Sequence, residues 1–456
     1  QAKFLHKYSK YHREFNGVKD IPWQLLPIWS QGRRIDESDS IFNQKENVAI
    51  ALRMDDDTLS EYGTAVKEVF DEPRFMLFLR NTHRIQLIND NECLTIQKNV
   101  SKDGKTINLV NSFKDKSRKD CYRIYTIDNI IVDDEAFAKA GILIRRKERI
   151  NNRGERENYF VRIDKDGKEL SEVPGIPDRI ASATETSISF ALQLDSDGHI
   201  ITISKDDLSL YAYLPMSEHR FKFPFFINAD FIPKSDREGV QSDNPWNYFL
   251  FYNIGRSILS MVADNAATEE TEYLNLLPTK SFESTSQDTS LLVDAFNKGY
   301  EDALSETNYI LNDLGAKVGH DSIIVDKSGL AEAIGNEDFY TIIGTKKRLP
   351  HRGIKSDVLS KEIFDVETVT EKFVVSAISS NSAIVLKWIK DADDSKRANF
   401  YGWLASNEEG QKLIKSVPSI KYGENWISYS EAISKPNQII ITNKLLPIKG
   451  ILSKLG

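Results

Sequence analysis

The segment at residues 223–247 places three side chains suited to phosphate chemistry on one short loop. It reads FPFFINADFIPKSDREGVQSDNPWN: an apolar strand ending at residues 231–233, a polar loop, and the start of a helix. The loop carries Lys234, Arg237 and Gln241. An arginine presented between two anchored elements can stabilise negative charge on a transferring phosphoryl group, and a nearby glutamine can orient the attacking water. This pattern indicates a candidate phosphoryl-transfer loop.

Arg237 also has a purely structural interpretation. Asp236 and Glu238 flank it in the sequence, and most loop arginines form an ion pair with such a neighbour. The spacing alone leaves both interpretations open.

A second group of cations lies at residues 145–156 and carries a local net charge of +4. Phosphate contacts to nucleic acid require only positive charge at the surface, and the adjacent Tyr159 and Phe160 favour base stacking. The alternative is a solvated hairpin tip centred on residues 151–154. The predicted nucleic-acid contacts are Arg145, Arg146, Lys147 and Arg149.

Composition and charge exclude several classes of protein. The chain has 456 residues, a net charge of −8, 40% hydrophobic and 28% charged residues, which is typical of globular proteins and rules out a uniformly basic coat for nucleic acid. Cys93 and Cys121 cannot supply a disulfide framework and fit a reducing compartment. The longest apolar run, residues 248–263, is shorter than the ~20 residues of a membrane span. We therefore expect a cytoplasmic protein without membrane partners.

Most catalytic signatures are missing from the sequence. It contains no Gly-x-x-x-x-Gly-Lys phosphate loop, no dinucleotide-binding glycine fingerprint and no Gly-x-Ser-x-Gly elbow. The seven histidines are scattered, and no spacing of histidine and cysteine indicates zinc. The acidic run at residues 55–57 lacks the glycine and final glutamate of a calcium loop and is better explained as a helix cap. No metal site is predicted.

The first half of the chain is β-rich. Asp-Gly pairs at residues 103–104, 166–167 and 197–198 each lie between strand-like runs, and glycine tolerates the positive φ that tight hairpins need. The alternating apolar positions of residues 188–194 and 208–214 predict that these two runs form the antiparallel pair around the third turn.

Helices interrupt this pattern. Asn244 is a good N-cap and Pro245 suits the first helical position. The apolar stripe after them predicts a helix of roughly twenty residues. A second stripe at residues 59–70, after the acidic cap at 55–57, predicts a shorter helix.

The charge is unevenly distributed. Residues 264–313 carry a local net charge of −9, and the serine- and threonine-rich stretch 281–290 within them predicts a loop or domain boundary. Beyond residue 315, Glu332-Ala333-Ile334 with an expected strand at 341–343 resembles Glu431-Ala432-Ile433 with a strand at 439–441. Two copies of one small structural unit would explain this internal similarity. The alternative is that the two strands have similar compositions by convergence.

The sequence around the loop resembles a known family. Leu214-Pro215, then Asn228-Ala229-Asp230-Phe231, Arg237-Glu238 and Asp243 before Pro245-Trp246-Asn247 are similar to bacterial sacsin-like relatives of the ninety-kilodalton heat-shock chaperones, of the GHKL superfamily. Residues 21–29 and 75–80 (FMLFLR) also resemble that family. The similarity spans residues 18 to 262 and is most specific between 208 and 250.

The resemblance implies an ATPase. In these chaperones a Ser-Arg-Glu motif supplies an arginine to the ATP γ-phosphate, and a glutamine follows at the spacing of Gln241. Arg237 and Gln241 would be catalytic, and Lys234 with Arg237 would contact the nucleotide. The family's adenine-binding aspartate and glycine-rich motifs are absent from this sequence. ATP and Mg²⁺ are therefore expected for a longer protein with a missing N-terminal nucleotide-binding domain, whereas this chain alone should bind neither.

The resemblance also implies an organisation. We expect an α+β chain with remnant strands of a GHKL-type ATPase domain at 1–88, an α/β-sandwich middle domain at 89–265, an acidic helical or linker segment at 266–315, and a mixed α/β tail at 316–456. The implied function is chaperone-like or in bacterial antiviral defence. A homodimer is implied only by analogy with the chaperones. The resemblance does not identify the macromolecular client as protein or as nucleic acid. The alternative function is a non-catalytic nucleic-acid-binding or scaffold module.

Overall fold

The computed structural model comprises two compact units, residues 1–66 and 67–456. It describes residues 64, 70–89, 92–113, 116–204, 209–216, 221–234, 239–268, 271–277, 287–359 and 366–434, and all of these except residue 64 belong to the second unit. Most of the helix expected after residues 55–57, the family-like residues 21–29 and Arg237 lie outside the described residues. The described part mixes helices with several sheets, which confirms the α+β prediction.

One large sheet dominates the first half of the second unit. Its strands are β1 (Arg84–Asn89), β2 (Glu92–Val100), β3 (Thr106–Phe113), β4 (Lys116–Ile131), β8 (Glu185–Leu194), β9 (Ile200–Ile201), β10 (Leu210–Ala212), β11 (Leu214–Pro215) and β12 (Phe226–Asn228). The hydrogen-bonded order is β1-β2-β3-β4-β8-β12-β10-β11, with β9 paired to β8. Neighbours run antiparallel except β10 and β12, which are parallel.

A smaller antiparallel sheet and two short helices lie between β4 and β8 in the sequence. Its strands are β5 (Ile144–Ile150), β6 (Arg156–Ile163) and β7 (Glu169–Glu172). The helices are α1 (Asp134–Lys139) and α2 (Asp178–Ala181).

All three predicted Asp-Gly turns are confirmed. They connect β2 to β3, β6 to β7 and β8 to β9. Gly104, Gly167 and Gly198 have φ values of +73°, +80° and +90°, so each turn uses the left-handed conformation that glycine adopts at little cost.

The predicted partner of β8 was wrong. Residues 210–212 form β10, but β10 does not pair with β8: β12 lies between them, antiparallel to β8 and parallel to β10. Ile188, Phe190 and Leu192 are fully buried. Alternation identified the buried face of β8, but it could not identify the neighbouring strand, because β10 and β12 both carry buried apolar residues.

The two faces of the large sheet have different coverings. On the inner face, Phe190 of β8 and Ile227 of β12 lie opposite each other in register and belong to a core that includes the long helix α3 (Pro245–Asn265). On the outer face, Phe78 packs edge-on against Tyr211, with ring centroids 5.0 Å apart. The outer face is thus partly covered by the chain before β1, where a 3-10 turn spans Pro73–Met76.

The helix predicted from Asn244 is confirmed as α3. The Asn244 side chain accepts a hydrogen bond from the Trp246 amide, and Pro245 occupies the first turn. α3 packs along α4 (Gln287–Leu304) at two glycines. A β-carbon on Gly255 would lie 2.2 Å from the carbonyl oxygen of Phe296, and one on Gly299 would lie 1.9 Å from that of Tyr252. Only glycine permits this approach.

The acidic segment contributes to the same core as the large sheet. Residues 287–290, expected to lie in a loop or boundary, instead begin α4, and residues 281–286 lie outside the described residues. Tyr273, Leu276 and Phe296 are buried in the core that contains α3. In the described part of the segment, acidic residues such as Glu272 and Asp302 therefore lie on helices whose apolar side chains pack against the middle part of the chain.

The last part of the chain builds a second core, in which Trp388 packs edge-on against Phe400 at 5.1 Å. The strands after α4 are β13 (Ile310–Leu311), β14 (Lys317–Val318), β15 (Ile324–Asp326), β16 (Glu367–Val369), β17 (Pro418–Tyr422) and β18 (Asn425–Ser428). Of these, β13 packs into the core that contains α3. The helices are α5 (Leu330–Ile334), α6 (Asn336–Ile343), α7 (Ser356–Leu359), α8 (Glu371–Ser380), α9 (Ser382–Asp391), α10 (Asp394–Ser406), α11 (Glu408–Leu413) and α12 (Tyr429–Ile433).

One element of the proposed repeat is wrong. Residues 341–343 end helix α6 instead of forming a strand. Phe339, Ile342 and Ile343 are buried at helical spacing, so the isoleucines serve one helix face. Both Glu-Ala-Ile triplets do lie in short helices, α5 and α12. Residues 439–441 lie outside the described residues.

Candidate functional site

The base of the predicted phosphoryl-transfer loop is a closed hairpin. Pro233 and Val240 form an antiparallel bridge, and the Lys234 amide donates to the Gly239 carbonyl at 2.8 Å. Residues 235–238, which include Arg237, lie outside the described residues. The two chain segments that flank Arg237 are therefore held together at the loop base.

Asn247 fastens this hairpin to α3 from inside the protein. Its side chain is fully buried and accepts from the Ile232 amide at 2.9 Å. Its amide group donates to the carbonyls of Ile232 and Gln241, both at 2.8 Å. One side chain thus holds both strands of the loop base, because Ile232 enters the loop and Gln241 leaves it.

Gln241 and Lys234 take different positions at this base. The Gln241 side-chain oxygen accepts from the Asn244 side chain at 3.4 Å. The same oxygen lies 3.7 Å from where a β-carbon on Gly175 would be. This distance is an ordinary van der Waals contact, so the approach of Gln241 does not require glycine. The φ of +77° at Gly175 does favour glycine, because it lies in the left-handed region. Lys234 is half-buried at the start of the loop.

A polar cleft of about 180 Å³ lies on the outer face of the large sheet. Two of the family-like segments, 75–80 and 228–231, meet there, next to Tyr213. Nothing in the sequence indicates that these segments are neighbours. The lining residues are Leu77, Phe78, Leu79, Arg80, Lys98, Ser187, Ser189, Tyr213, Asn228, Ala229 and Asp230.

A chain of polar contacts crosses the cleft. The Arg80 guanidinium donates to the Tyr213 hydroxyl at 3.2 Å and lies 5.2 Å from the ring centroid. The hydroxyl donates to an Asp230 carboxylate oxygen at 3.2 Å, and Arg179 lies 3.8 Å from the same oxygen. Burial, followed by the nearby Asp230 charge, raises the pKa of Tyr213, so the phenol stays protonated at neutral pH.

Tyr213 is held in an unusual backbone conformation. It has a φ of +66°, which is costly for a bulky residue. It forms the tip between β10 and β11, where Ala212 and Leu214 are paired, and its amide donates to the Asn228 side-chain oxygen at 2.7 Å. This reversal directs the phenol into the cleft.

Lys98 contributes a buried cation to the cleft. Only 7% of the residue is exposed, and its ammonium group donates to the carbonyls of Leu77 and Leu79 at 2.9 and 2.6 Å. Burial lowers the pKa of Lys98. An ammonium has three donors, and the backbone uses two of them, which leaves one for a ligand.

The sequence does contain a pattern that indicates a special role for Lys98. Ile96, Lys98 and Val100 occupy alternate positions of β2, so the lysine interrupts an otherwise apolar stripe. A charged residue on such a stripe indicates a buried partner or a site. No comparable signal marks Tyr213, because its conformation depends on the pairing of β10 with β11 and β12.

The cations predicted to bind nucleic acid lie on β5. Lys147 and Arg149 pair with Glu169 and Glu172 of β7, each at 2.8 Å. Arg145 lies 3.8 Å from Asp134 and donates to the Gly167 carbonyl at 3.5 Å. Arg149 forms a second ion pair, with Glu157, at 2.8 Å.

Arg146 of the same group faces inward. It lies 5.7 Å from the Phe160 ring centroid and donates to the backbone carbonyls of Val132 and Ala183. The local geometry is that of the predicted alternative, a hairpin with its tip near residues 151–154, because β5 and β6 pair along their whole length. Whether the hairpin binds nucleic acid stays a prediction.

Among the described residues, a group of potential metal ligands occurs at Asp195, Asp197 and His199. An Asp195 carboxylate oxygen accepts from the amides of Asp197 and His199, both at 2.9 Å. These hydrogen bonds close the turn between β8 and β9, and this turn explains why the three side chains lie together without an ion.

In the part of the chain that the structure describes, no helix has the length and apolar character that crossing a membrane requires.

Comparison with known proteins gives one partial similarity. Protein NO VEIN of Arabidopsis thaliana is 33% identical to this chain over 104 residues. The match covers 21% of this chain and 4% of that protein, so the chain corresponds to a small fraction of its relative. No protein-family model and no solved structure matches.

Proposed function

We propose that this chain is the middle and downstream part of a sacsin-like ATP-hydrolysing protein of the GHKL superfamily, with a chaperone-like or defence role. In this proposal Arg237 reaches the γ-phosphate of ATP bound by an N-terminal nucleotide-binding domain. The observation that carries it is the fastening of both sides of the Arg237 loop by the buried Asn247. A catalytic arginine must be presented with little conformational freedom.

Each loop residue has a distinct role in the proposal. Arg237 supplies positive charge to the γ-phosphoryl group as negative charge develops on it. Gln241 orients the attacking water, and Lys234 adds charge at the loop base. ATP brings Mg²⁺, which would neutralise the phosphates. Among the described residues, Asp195, Asp197 and His199 do not fit Mg²⁺ as a set of ligands, because the Asp195 carboxylate already accepts the hydrogen bonds that close a turn.

The proposal is tested by replacing Arg237 in the full-length protein. We expect Arg237→Ala to reduce single-turnover ATP hydrolysis by about 10³-fold or more, because a catalytic arginine typically contributes 10³–10⁵ in rate. Nucleotide affinity, measured by fluorescence anisotropy of a labelled ATP analogue, should change little. Arg237→Lys should recover little activity, because an ammonium lacks the planar fork of guanidinium.

Arg352→Ala is the matched control, since Arg352 is exposed and distant in sequence from the loop. Turnover by this variant should equal that of the wild type. Turnover by Arg237→Ala within twofold of wild type would show that the catalytic assignment is wrong.

The alternative function, nucleic-acid binding by the β5–β6 hairpin, has less structural support. Lys147 and Arg149 are already paired with glutamates, so binding phosphate would require breaking those pairs. Binding that weakens steeply with salt and is lost on joint neutralisation of Arg145, Arg146 and Arg149 would favour this alternative. The third option, a purely scaffolding relative, predicts no nucleotide turnover in the full-length protein.

A further inference from the structure

We propose that the cleft between Arg80, Lys98 and Tyr213 binds a phosphate group, either free inorganic phosphate or a phosphomonoester. This site lies on the outer face of the sheet, and none of the residues that carry the proposal belongs to the loop that contains Arg237. It is a separate binding function, so it can hold or fail independently of ATP hydrolysis.

The cleft offers hydrogen-bond donors from several elements. Lys98 has one ammonium donor left after its two backbone bonds. The Asn228 oxygen already accepts from the Tyr213 amide, which leaves the Asn228 NH₂ group available as a donor. Arg80 adds further guanidinium donors at the rim, and the Ser187 hydroxyl lines the same space. A tetrahedral oxyanion has enough acceptor oxygens to use all of them.

The charge balance favours an anion. Arg80 and Lys98 are two cations among the lining residues, and Asp230 is the one carboxylate in that lining. Asp230 is turned to other partners, since it accepts from the Tyr213 hydroxyl at 3.2 Å and lies 3.8 Å from Arg179. Its charge is thereby partly compensated before any ligand arrives. Burial has two opposing effects at Lys98: it disfavours the charged ammonium, and it reduces the screening of that charge by water. A bound anion beside the ammonium group would restore the charged form.

The size and backbone geometry agree with a small ligand. The cleft of about 180 Å³ is large enough for a phosphate group with some water. The strained φ of Tyr213 is of the kind that proteins retain mainly at functional positions. It orients the phenol that links Arg80 to Asp230 and so fixes one wall of the cleft.

The test is titration of the chain with inorganic phosphate, measured by isothermal calorimetry at constant ionic strength and without nucleotide. We expect saturable binding with a dissociation constant of roughly 1 mM. Arg80→Gln should weaken binding at least tenfold without affecting folding, because Arg80 is exposed. Asp230→Asn should tighten binding severalfold, because it removes the nearby negative charge.

Lys98→Met should abolish phosphate binding, and circular dichroism will report whether that variant folds. If it does not fold, Arg80→Gln and Asp230→Asn still decide the proposal. Arg118→Gln, on an exposed stretch of β4, is the control and should bind like the wild type. Phosphoserine is titrated in parallel. Competition with phosphate identifies a phosphomonoester site, and binding of inorganic phosphate alone identifies a site for the free ion.

Two results would overturn the proposal. One is the absence of saturable phosphate binding up to about 10 mM. The other is wild-type affinity in both Arg80→Gln and Asp230→Asn. Neither result would bear on Arg237, whose test is ATP turnover.

Discussion

Asn247 holds Ile232 through a pair of hydrogen bonds, accepting from its amide at 2.9 Å and donating to its carbonyl at 2.8 Å. This pairing copies the ladder of a β-sheet with a side-chain amide. Asn247 is the third residue of the long buried helix α3. Its hydrogen bonds therefore fix the start of the loop to a rigid element. The proposed catalytic loop is therefore positioned by a residue with no chemical role of its own.

Asn247→Ala should destabilise the protein and slow ATP hydrolysis. It leaves the Ile232 amide and the Gln241 carbonyl without this partner, and each unsatisfied group costs about 1–3 kcal/mol. The Ile232 carbonyl still accepts from the Gln241 amide at 3.1 Å. We expect a loss of about 3 kcal/mol or more in the free energy of unfolding, measured by urea denaturation. Asn253→Ala is the control, since the Asn253 side chain donates to a carbonyl of its own helix. Equal losses in the two variants would contradict the special position of Asn247.

Asn244→Ala should cost about 1 kcal/mol through loss of the N-cap of α3. It also removes the contact with the Gln241 side chain. Asn244→Ser retains the cap but not the contact with Gln241. The two variants should therefore differ in unfolding free energy while sharing any defect in turnover that comes from Gln241. A stability for Asn244→Ala equal to that of the wild type would show that the cap contributes nothing.

Gly255→Ala should destabilise the protein by about 3 kcal/mol, because its β-carbon would lie 2.2 Å from the Phe296 carbonyl oxygen and force α3 and α4 apart. Thermal denaturation will report the change. Gly402→Ala is the matched control. Gly402 also lies within a helix, α10, but nothing lies within 4 Å of its added β-carbon. We expect that variant to be more stable by about 0.5–1 kcal/mol, because alanine favours helix. Destabilisation by both would show that the crossing is not the cause.

Asp313 should make stability depend on pH in the acid range. Burial tends to raise the pKa of Asp313, but hydrogen bonds from Asn336, Tyr340 and Arg348 outweigh it, and the pKa is lowered from 3.8. A group with a depressed pKa in the folded state stabilises the fold above its unfolded pKa and loses this contribution as pH falls through the folded value.

Asp313→Asn should therefore cost about 2 kcal/mol at pH 7. The difference from wild type should stay constant down to about pH 5 and shrink below about pH 4. Urea denaturation at a series of pH values measures it. Asp166→Asn, in an exposed turn, is the control and should show no such trend. A difference for Asp313→Asn that grows as pH falls would contradict the sign of this argument.

The features that the sequence predicted well depend on neighbours in the chain. α3 follows from Asn244 and Pro245, since the cap and the first turn are made within a few residues. The Asp-Gly turns follow from the conformational freedom of Gly104, Gly167 and Gly198. These signals are local, so no knowledge of the rest of the fold was needed.

The features that were missed depend on distant partners. β12 pairs on one side with β8 and on the other with β10, and alternation does not state which strand is the neighbour. The isoleucines near 342 suit a strand or a helix equally, and burial against the second core decides for α6. The cleft joins residues near 80, 98, 213 and 230, which no spacing in the sequence relates.

The sequence by itself determined the hairpin turns, the long helix and the residue types on the Arg237 loop, because short-range hydrogen bonding and backbone preference act within one segment. Only the tertiary structure decided that Asn247 closes the loop base, that Lys98 is buried beside Arg80 and Tyr213, and that the cations of β5 are paired. The physical reason is that these contacts follow from strand order and register. Burial of whole sheet faces sets that order, and no single segment encodes it.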